Sequence, residues 1–357
     1  MSFFSNRLEK VRYVFRLCKK RQSEGELSAI RQLVEIAVLL ATRGIGYNIY
    51  HFAGMYERSA SWKYKCSYLS NRDYVKKVYQ VNERKFQGAS QFKPLEKAFF
   101  RQFAIPTPTY FGTLHEQWGC TPDGSPLRSP ADLQRCLAPL AGKKVCFKLV
   151  EGASGKGFKA YQVLAQSDPL ILTHPVSGDR HSIEELFDLL VRESREGWLL
   201  EEHIEQHPVL KAFNPTSLNT VRMFLYKKRN GEVISLRSFL KTGRPGALID
   251  KTENGGASVF VNEETGVLQN GFNWSPEMRP LAQHPGSKLK FEGVQLPFWK
   301  EARDMAIGAL RAFPGTRFVG VDVAITENGP VMIEMNVQPD AECMAVLRLP
   351  TATLFDS

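Results

Sequence analysis

Up to about residue 85 apolar positions recur at helical spacing, and LSAIRQLVEIAVLLATRG (27–44) is the clearest amphipathic stretch, ended by Gly44. A second short helix is predicted over FKPLEKAFFRQF (92–103). Ile105-Pro106-Thr107-Pro108 stops it, because proline cannot continue the hydrogen-bond ladder. A connection rich in Pro, Gly and Ser fills residues 120–135. After it, strand and helix periods intermix. KKVCFKLV and FKAYQVL read as strands, and SIEELFDLLVRES as a helix with Ser182 at its N-cap and Glu185 completing a capping box. GWLLEEHI is a strand, and TVRMFLY and VISLRSFLK pair around Arg229-Asn230-Gly231. FWKEARDMAIGALRAF is a helix, and FVGVDVAIT with PVMIEMNV forms a last hairpin. The pattern is α+β, with antiparallel sheets rather than a parallel wound core.

The stretch FKLVEGASGKGFKAYQ (147–162) has the small residues of a phosphate-binding P-loop. That motif needs a glycine where Val150 stands and a hydroxyl where Gly157 stands. Both flanks alternate as strands, so the stretch is predicted to be a hairpin. Its glycine loop can close over a polyanion, with Lys148 projecting from the first strand beside it.

In FVGVDVAITENGPVMIEMNVQPD (318–340), Glu334 and Asn336 are two apart on a strand and face the same way. Matching the apolar faces sets Val323 against Ile333 and Ile325 against Val331, which places Asp322 opposite Glu334. This register predicts an odd-length loop, Glu327-Asn328-Gly329, with Gly329 left-handed. Two carboxylates and an amide suit magnesium, a hard cation that shares phosphate oxygens. Zinc is disfavoured, since no Cys or His converges there.

The composition bounds the class. The 357 residues suffice for two or three domains, and 43% hydrophobic with 24% charged content is ordinary for a soluble protein. Six cysteines without a C-x-x-C pair, no apolar run of membrane-span length and a charged start lead us to expect a cytoplasmic protein. The formal charge of +10 is uneven: residues 1–100 hold 19 Lys and Arg against 8 Asp and Glu. Phe4, Leu8, Val11 and Phe15 fall at helical spacing among Arg7, Lys10, Arg12, Arg16, Lys19, Lys20 and Arg21. Such a helix can lie on an anionic membrane surface or a phosphorylated substrate, or simply be a solvated basic face. No nucleic-acid-binding module is present.

Lys148, the glycine loop, the acidic strand WLLEEHI and the terminal Asp322, Glu334 and Asn336, in this order, make the chain resemble the ATP-grasp superfamily. Within it, EEHIEQHPVLKAFNPTSLNTVRMF and RFVGVDVAITENGPVMIEMNV resemble the sugar-transfer-associated ATP-grasp group, relatives of the alpha-L-glutamate ligase type. The resemblance runs from about Lys93 to about Met344. It implies an ATP-grasp fold: two α+β lobes (89–200 and 201–357) sandwiching ATP, preceded by a basic, mainly helical module (1–88). It implies that Lys93, Lys148 and the loop residues Ser154, Gly155 and Gly157 hold ATP. The adenine would meet a hinge strand from Glu201 through Glu202 to Ile204, whose backbone pairs with the base while an acidic side chain accepts from its amine. Glu205, Gln206 and His207 are candidates for the ribose. Asp322, Glu334 and Asn336 take the magnesium role. Arg222, Lys241 and Arg244 match the basic side chains that neutralise the transferring phosphoryl group or hold a substrate carboxylate. In place of the group's Asp-Asn pair before Gly-Gly, this chain has Asp250-Lys251 before Gly255-Gly256, a segment assigned to the substrate.

The activity so implied is that of an ATP-dependent ligase. A carboxylate is activated as an acyl phosphate and attacked by an amine to form an amide, releasing ADP and phosphate. ATP and Mg2+ are the expected cofactors, and a small carboxylate and an amine, sugar-linked or peptide, the expected partners. A kinase acting on a sugar or small-molecule hydroxyl and a non-catalytic nucleotide-binding scaffold are the alternatives.

Overall fold

The computed structural model describes residues 3–152, 155, 157–164, 169–250, 252 and 255–355, with side chains from residue 8. Seven helices come first: α1 (Phe3–Ser23), α2 (Ala29–Arg43), α3 (Tyr47–Phe52), α4 (Trp62–Lys65), α5 (Asn71–Val81), α6 (Arg84–Gln91) and α7 (Lys93–Gln102). Ser28 caps α2 by accepting from the Arg31 N–H, and Gly44 closes it at φ +66°, a left-handed value that costs glycine nothing.

The first lobe is a six-stranded sheet in the order β1-β6-β2-β3-β4-β5. It comprises β1 (Tyr110–Leu114), β2 (Lys144–Leu149), β3 (Lys159–Val163), β4 (Ile171–Thr173), β5 (Arg180–Ser182) and β6 (Trp198–Glu202), with α8 (Pro130–Leu137) and α9 (Ile183–Glu193) packed on one face. Ser182 and Glu185 form the expected capping box on α9. The second lobe follows α10 (Pro208–Lys211). Its strands are β7 (Thr220–Lys227), β8 (Val233–Thr242), β9 (Ala257–Val261), β10 (Leu268–Phe272), β11 (Pro280–Leu281), β12 (Phe318–Thr326) and β13 (Gly329–Asn336), with α11 (Trp299–Ala312) and α12 (Ala341–Val346). They form one sheet ordered β11-β10-β9-β8-β7-β12-β13, and every strand pair in both sheets is antiparallel. The α+β class with a mainly helical N-terminal region therefore stands.

The second sheet explains where a site can lie. Along β7, Val221, Met223 and Leu225 point into the core beneath α11. On the other face Phe224 and Tyr226 are covered by Tyr74 and Val78 of α5 and by Phe355. Thr220 and Arg222, on that same face, are left without an apolar cover and border a cleft. One alternating strand thus supplies a core face, an aromatic seat for the N-terminal helices and a charged floor.

Three expectations need correction. The 200/201 boundary cuts β6, whose ladders to β1 and β2 make it a central strand of the first sheet. The 88/89 boundary cuts α6, and the N-terminal helices share their cores with the second lobe, through Phe272, Ala345 and Val346 among others. In the last hairpin Asp322 does face Glu334, but the register then shifts: Val323 pairs with Met332 and Ile325 with Pro330. Ile333 is a bulge, so a two-residue turn, Glu327-Asn328, suffices and Gly329 (φ +119°) already lies in the strand. The bulge leaves Met332 and Met335, three residues apart, both in the core, and turns Ile333 and Glu334 to the cleft.

The bulged strand is a sheet edge, and α6 and α7 satisfy its backbone. Met335 N–H donates to Glu96 (2.8 Å), the Ser90 hydroxyl donates to the Met335 carbonyl, and Lys97 donates to the Ile333 carbonyl (3.2 Å). Burial pushes the Glu96 carboxyl up to about 8. The unfolded chain sheds this proton near pH 4 to 5 and the folded one near 8, so between those values folding stability falls as pH rises. Glu96→Gln keeps the acceptor and removes the proton. Urea unfolding at a series of pH values should show the variant equal to the parent at pH 5 and more stable by about 2–4 kcal/mol at pH 8.

Candidate active site

A cleft of about 460 Å³ lies between the two sheets. Its first wall is built by β2, β6 and the start of α7. Lys148 on β2 and Glu201 on β6 sit on neighbouring strands, and Lys148 Nζ lies 2.5 Å from Glu201 Oε1. Lys97, one helical turn after Lys93, lies 3.0 Å from the other carboxylate oxygen. Burial by itself would raise the Glu201 pKa, but the two lysines hold it below the usual carboxylate range. Burial likewise opposes the charge on Lys148, and Glu201 overcomes it and raises the ammonium's pKa. Lys93 donates to the Gly152 carbonyl at the edge of the glycine loop (2.9 Å). Three ammonium groups against the carboxylates of Glu201 and Glu202, with burial pushing the Glu96 carboxyl up to about 8, make this wall cationic.

The opposite wall is the charged floor of the second sheet. Asp322 accepts from Arg222 through Nε (2.5 Å) and Nη2 (2.8 Å), and from Lys241 (3.0 Å). Asp322 is buried, which would raise its pKa, yet Arg222 and Lys241 hold it far below the ordinary value. Lys241 also reaches Asp250 at 3.4 Å, and Thr220 donates to that carboxylate. Glu334 is different. Its nearest cationic nitrogen among the described residues is Arg222 Nη2 at 3.9 Å, its side chain is 35% exposed, and Asn336 donates to it at 3.2 Å.

This charge distribution tests the expected magnesium set. The donors are oxygen only and share one face, as a hard cation requires. Asp322 is already neutralised by two side-chain cations, whereas Glu334, with only the longer Arg222 contact at 3.9 Å, and the neutral Asn336 amide face the cleft. The fit therefore rests on Glu334 and Asn336, with Asp322 held behind them.

Of the other expected residues, Gly155 borders the cleft against Ile249 of the opposite lobe, at φ +68°. Gly157 has φ +74°, and a Cβ there would meet Leu149 Cγ at 2.8 Å. The β2–β3 hairpin brings both into place, pairing Phe147 with Lys159. Ser154 lies outside the described residues. Gly157→Ala combines a left-handed alanine with a clash and should lower stability by about 2–3 kcal/mol in a denaturant titration.

The hinge is realised differently from expectation. The Glu201 side chain is turned to the first wall, with one carboxylate oxygen paired to Lys148 and the other to Lys97. Glu202 is tied to Thr109 (2.7 Å), and its N–H already donates to the Thr109 carbonyl. Ile204, just past the strand, lines the cleft and its N–H has no hydrogen-bond partner among the described residues. None of the ribose candidates borders the cleft. Glu205 pairs with Lys144, Gln206 is buried and bridges Asn214, Ser217 and Asn219, and His207 caps α10. Arg244 also departs from expectation. β8 ends at Thr242, Asn214 binds the carbonyls of Gly243 and Arg244, and the Arg244 side chain turns out to solvent.

The far end of the cleft was not anticipated. Phe239 and Trp274 line it beside Gln338, Asp340 and Glu342. The N-terminal helices support it: Asn48 donates to Glu342 (2.9 Å), Tyr79 donates to Gln338 (3.2 Å) and Phe52 packs on Trp274. Cys343 also lines the cleft, but burial pushes its thiol up to about 12, which disfavours the thiolate at neutral pH.

A family model described as sugar-transfer associated ATP-grasp matches residues 69–350. No curated protein matches the chain. Among solved structures, a carboxyaminoimidazole ribonucleotide synthase from Aspergillus clavatus complexed with ATP is similar at a TM-score of 0.42 and 13% identity, over 76% of this chain and 55% of that one. A biotin carboxylase from Campylobacter jejuni gives 0.42 and 10%, over 74% and 47%. A D-alanine–D-alanine ligase from Bacillus anthracis gives 0.38 and 15%, over 71% and 59%. The chain spans about half the length of the solved structures it matches.

Proposed function

The chain belongs to the sugar-transfer associated ATP-grasp family, and from that premise we propose that it is an ATP-dependent ligase joining a carboxylate to an amine. The observation that carries the reading is the opposition of two walls across one cleft, cationic at Lys93 and Lys148 and oxygen-rich at Glu334 and Asn336. Polyphosphate fits the first wall, and the Ile204 N–H suits an adenine edge. Glu334 and Asn336 would hold magnesium, which when bound screens phosphate charge and orients it for in-line attack.

The chain's own residues do the rest. Lys148, locked by Glu201, presents a fixed ammonium to phosphate with little reorganisation. Arg222 and Lys241 hold Asp322 and keep their cationic nitrogens beside the position of the transferring phosphoryl group. A substrate carboxylate attacks the γ-phosphorus, ADP leaves, and an amine then displaces phosphate from the acyl phosphate with loss of a proton. The far end suits the amine, since Asp340 and Glu342 have no cationic partner within 4.0 Å among the described residues. The upward shift of the Cys343 thiol speaks against a thioester route.

The test is incubation with ATP, magnesium and pools of carboxylic acids, with hydroxylamine as acceptor. A hydroxamate with ADP and phosphate is expected. AMP with pyrophosphate, or ADP with a phosphorylated sugar and no hydroxamate, would overturn the reading in favour of adenylation or a kinase.

A further inference from the structure

The strongest feature outside the cleft is the hairpin of α1 and α2, which lies before the part of the chain that matches the family. Its inner face is fastened: Cys18, Ile36 and Leu39 join a core with Phe272 and Val346, and Lys65 and Tyr50 bind Glu35 inside it. The outer face is apolar where water would be expected. On α1, Leu8 is 54%, Val11 65% and Phe15 44% exposed. On α2, Ile30 is 76%, Val34 57% and Val38 40% exposed, at i, i+4 and i+8. Ala37 and Ala41 are exposed between them, and no acidic side chain interrupts the row, because Glu35 is turned inward.

The charges on the hairpin sort into two sets. Lys20, Arg21 and Arg31 are neutralised by Glu277, Glu24 and Glu35. Arg12, Arg16 and Lys19 are exposed and have no acidic partner among the described residues, and Glu9 is the single acid on α1. On a helical wheel Arg12 and Lys19 flank the Leu8–Val11–Phe15 stripe directly. Lys19 stands over the Phe15 ring at 5.6 Å.

We propose that this hairpin is a docking surface for an anionic lipid membrane, with the aliphatic and Phe15 side chains entering the acyl boundary and Arg12, Arg16 and Lys19 meeting headgroup phosphates. The charge complementarity selects the partner: aliphatic tips ringed by unpaired cations match a negatively charged interface, where both terms add. No helix of the described residues is long and apolar enough to cross a membrane, so the contact is peripheral.

The test is co-sedimentation of the full-length protein with vesicles of phosphatidylcholine alone and of phosphatidylcholine containing phosphatidylglycerol. Binding is expected only to the second, and weakens with added salt. Joint Arg12→Glu, Arg16→Glu and Lys19→Glu should reduce partitioning by roughly a hundredfold. Val11→Ser with Phe15→Ser keeps every charge and should still reduce it by about tenfold or more. Unchanged thermal melting and ATP affinity in each variant separate lost docking from lost fold. No binding to anionic vesicles, or equal binding by both variants, overturns the proposal. So does a solution dimer dissolved by Val34→Glu, which would make the face a contact between copies.

Discussion

Glu334→Gln is expected to lower ATP turnover by about 10²- to 10³-fold while the protein melts at the same or a slightly higher temperature. The two outcomes separate because the two carboxylates facing each other across β12 and β13 are held differently. Asp322 is bound by Arg222 at 2.5 and 2.8 Å and by Lys241 at 3.0 Å, whereas among the described residues no cation approaches Glu334 closer than 3.9 Å. Opposed like charges across strands repel, so removing the charge on Glu334 relieves Asp322 and costs the fold little. It takes from the cleft the carboxylate best able to hold a divalent cation against phosphate. Asp322→Asn should behave in the opposite way, taking from Arg222 its two-point counter-ion and leaving Lys241 with Asp250 alone, and so lowering stability before any assay of turnover. Steady-state kinetics at saturating ATP, with thermal melts of both variants, make the comparison. Turnover within twofold of the parent for Glu334→Gln would remove Glu334 from the reaction.

Much of this arrangement was legible from residue patterns. Alternation alone sets Asp322 opposite Glu334, and the glycine stretch 147–162 reads as a hairpin because strand periods flank it on both sides. The bulge at Ile333 was not legible, since it depends on an edge strand whose backbone is met by Ser90, Glu96 and Lys97 from two helices far away in sequence. Lys97 escaped notice for a related reason. It lies in KPLEKAFFRQ at the spacing of a core-facing residue, and only its distance of one turn from Lys93 hints that both point to one place. The closure of the far end by Asn48, Phe52 and Tyr79 required knowing which face of the second sheet the N-terminal helices cover. Arg244 was misplaced because a basic residue just past a strand reads the same whether the chain continues along the cleft or is turned aside, here by Asn214.

Glu201→Leu is expected to destabilise the protein by about 3–5 kcal/mol, the largest loss of stability anticipated for a single change in the cleft. Glu201 is 1% exposed and is the shared counter-ion of Lys97 and Lys148, at 3.0 and 2.5 Å. Without it two ammonium groups remain in a buried space, and burial, now unopposed, drives their pKa values down. The pH dependence follows from the direction of the Glu201 shift. A carboxylate held below its unfolded value stabilises the fold above that value, and this contribution disappears as pH falls through the lower, folded one. Hence the parent and Glu201→Leu should converge in stability toward acid and diverge toward neutral pH. A triple variant, Lys97→Met, Lys148→Met and Glu201→Leu, tests whether the charges serve folding or function. Replacing a whole buried ionic set by apolar groups of similar volume is often neutral or stabilising. The triple variant should therefore regain most of the lost stability in urea titrations while its ATP affinity stays at least tenfold weaker, since among the described residues of the first wall only Lys93 would then present a cation to phosphate. If ATP affinity returned together with stability, Lys148 would be a scaffold for the sheet and not a phosphate anchor.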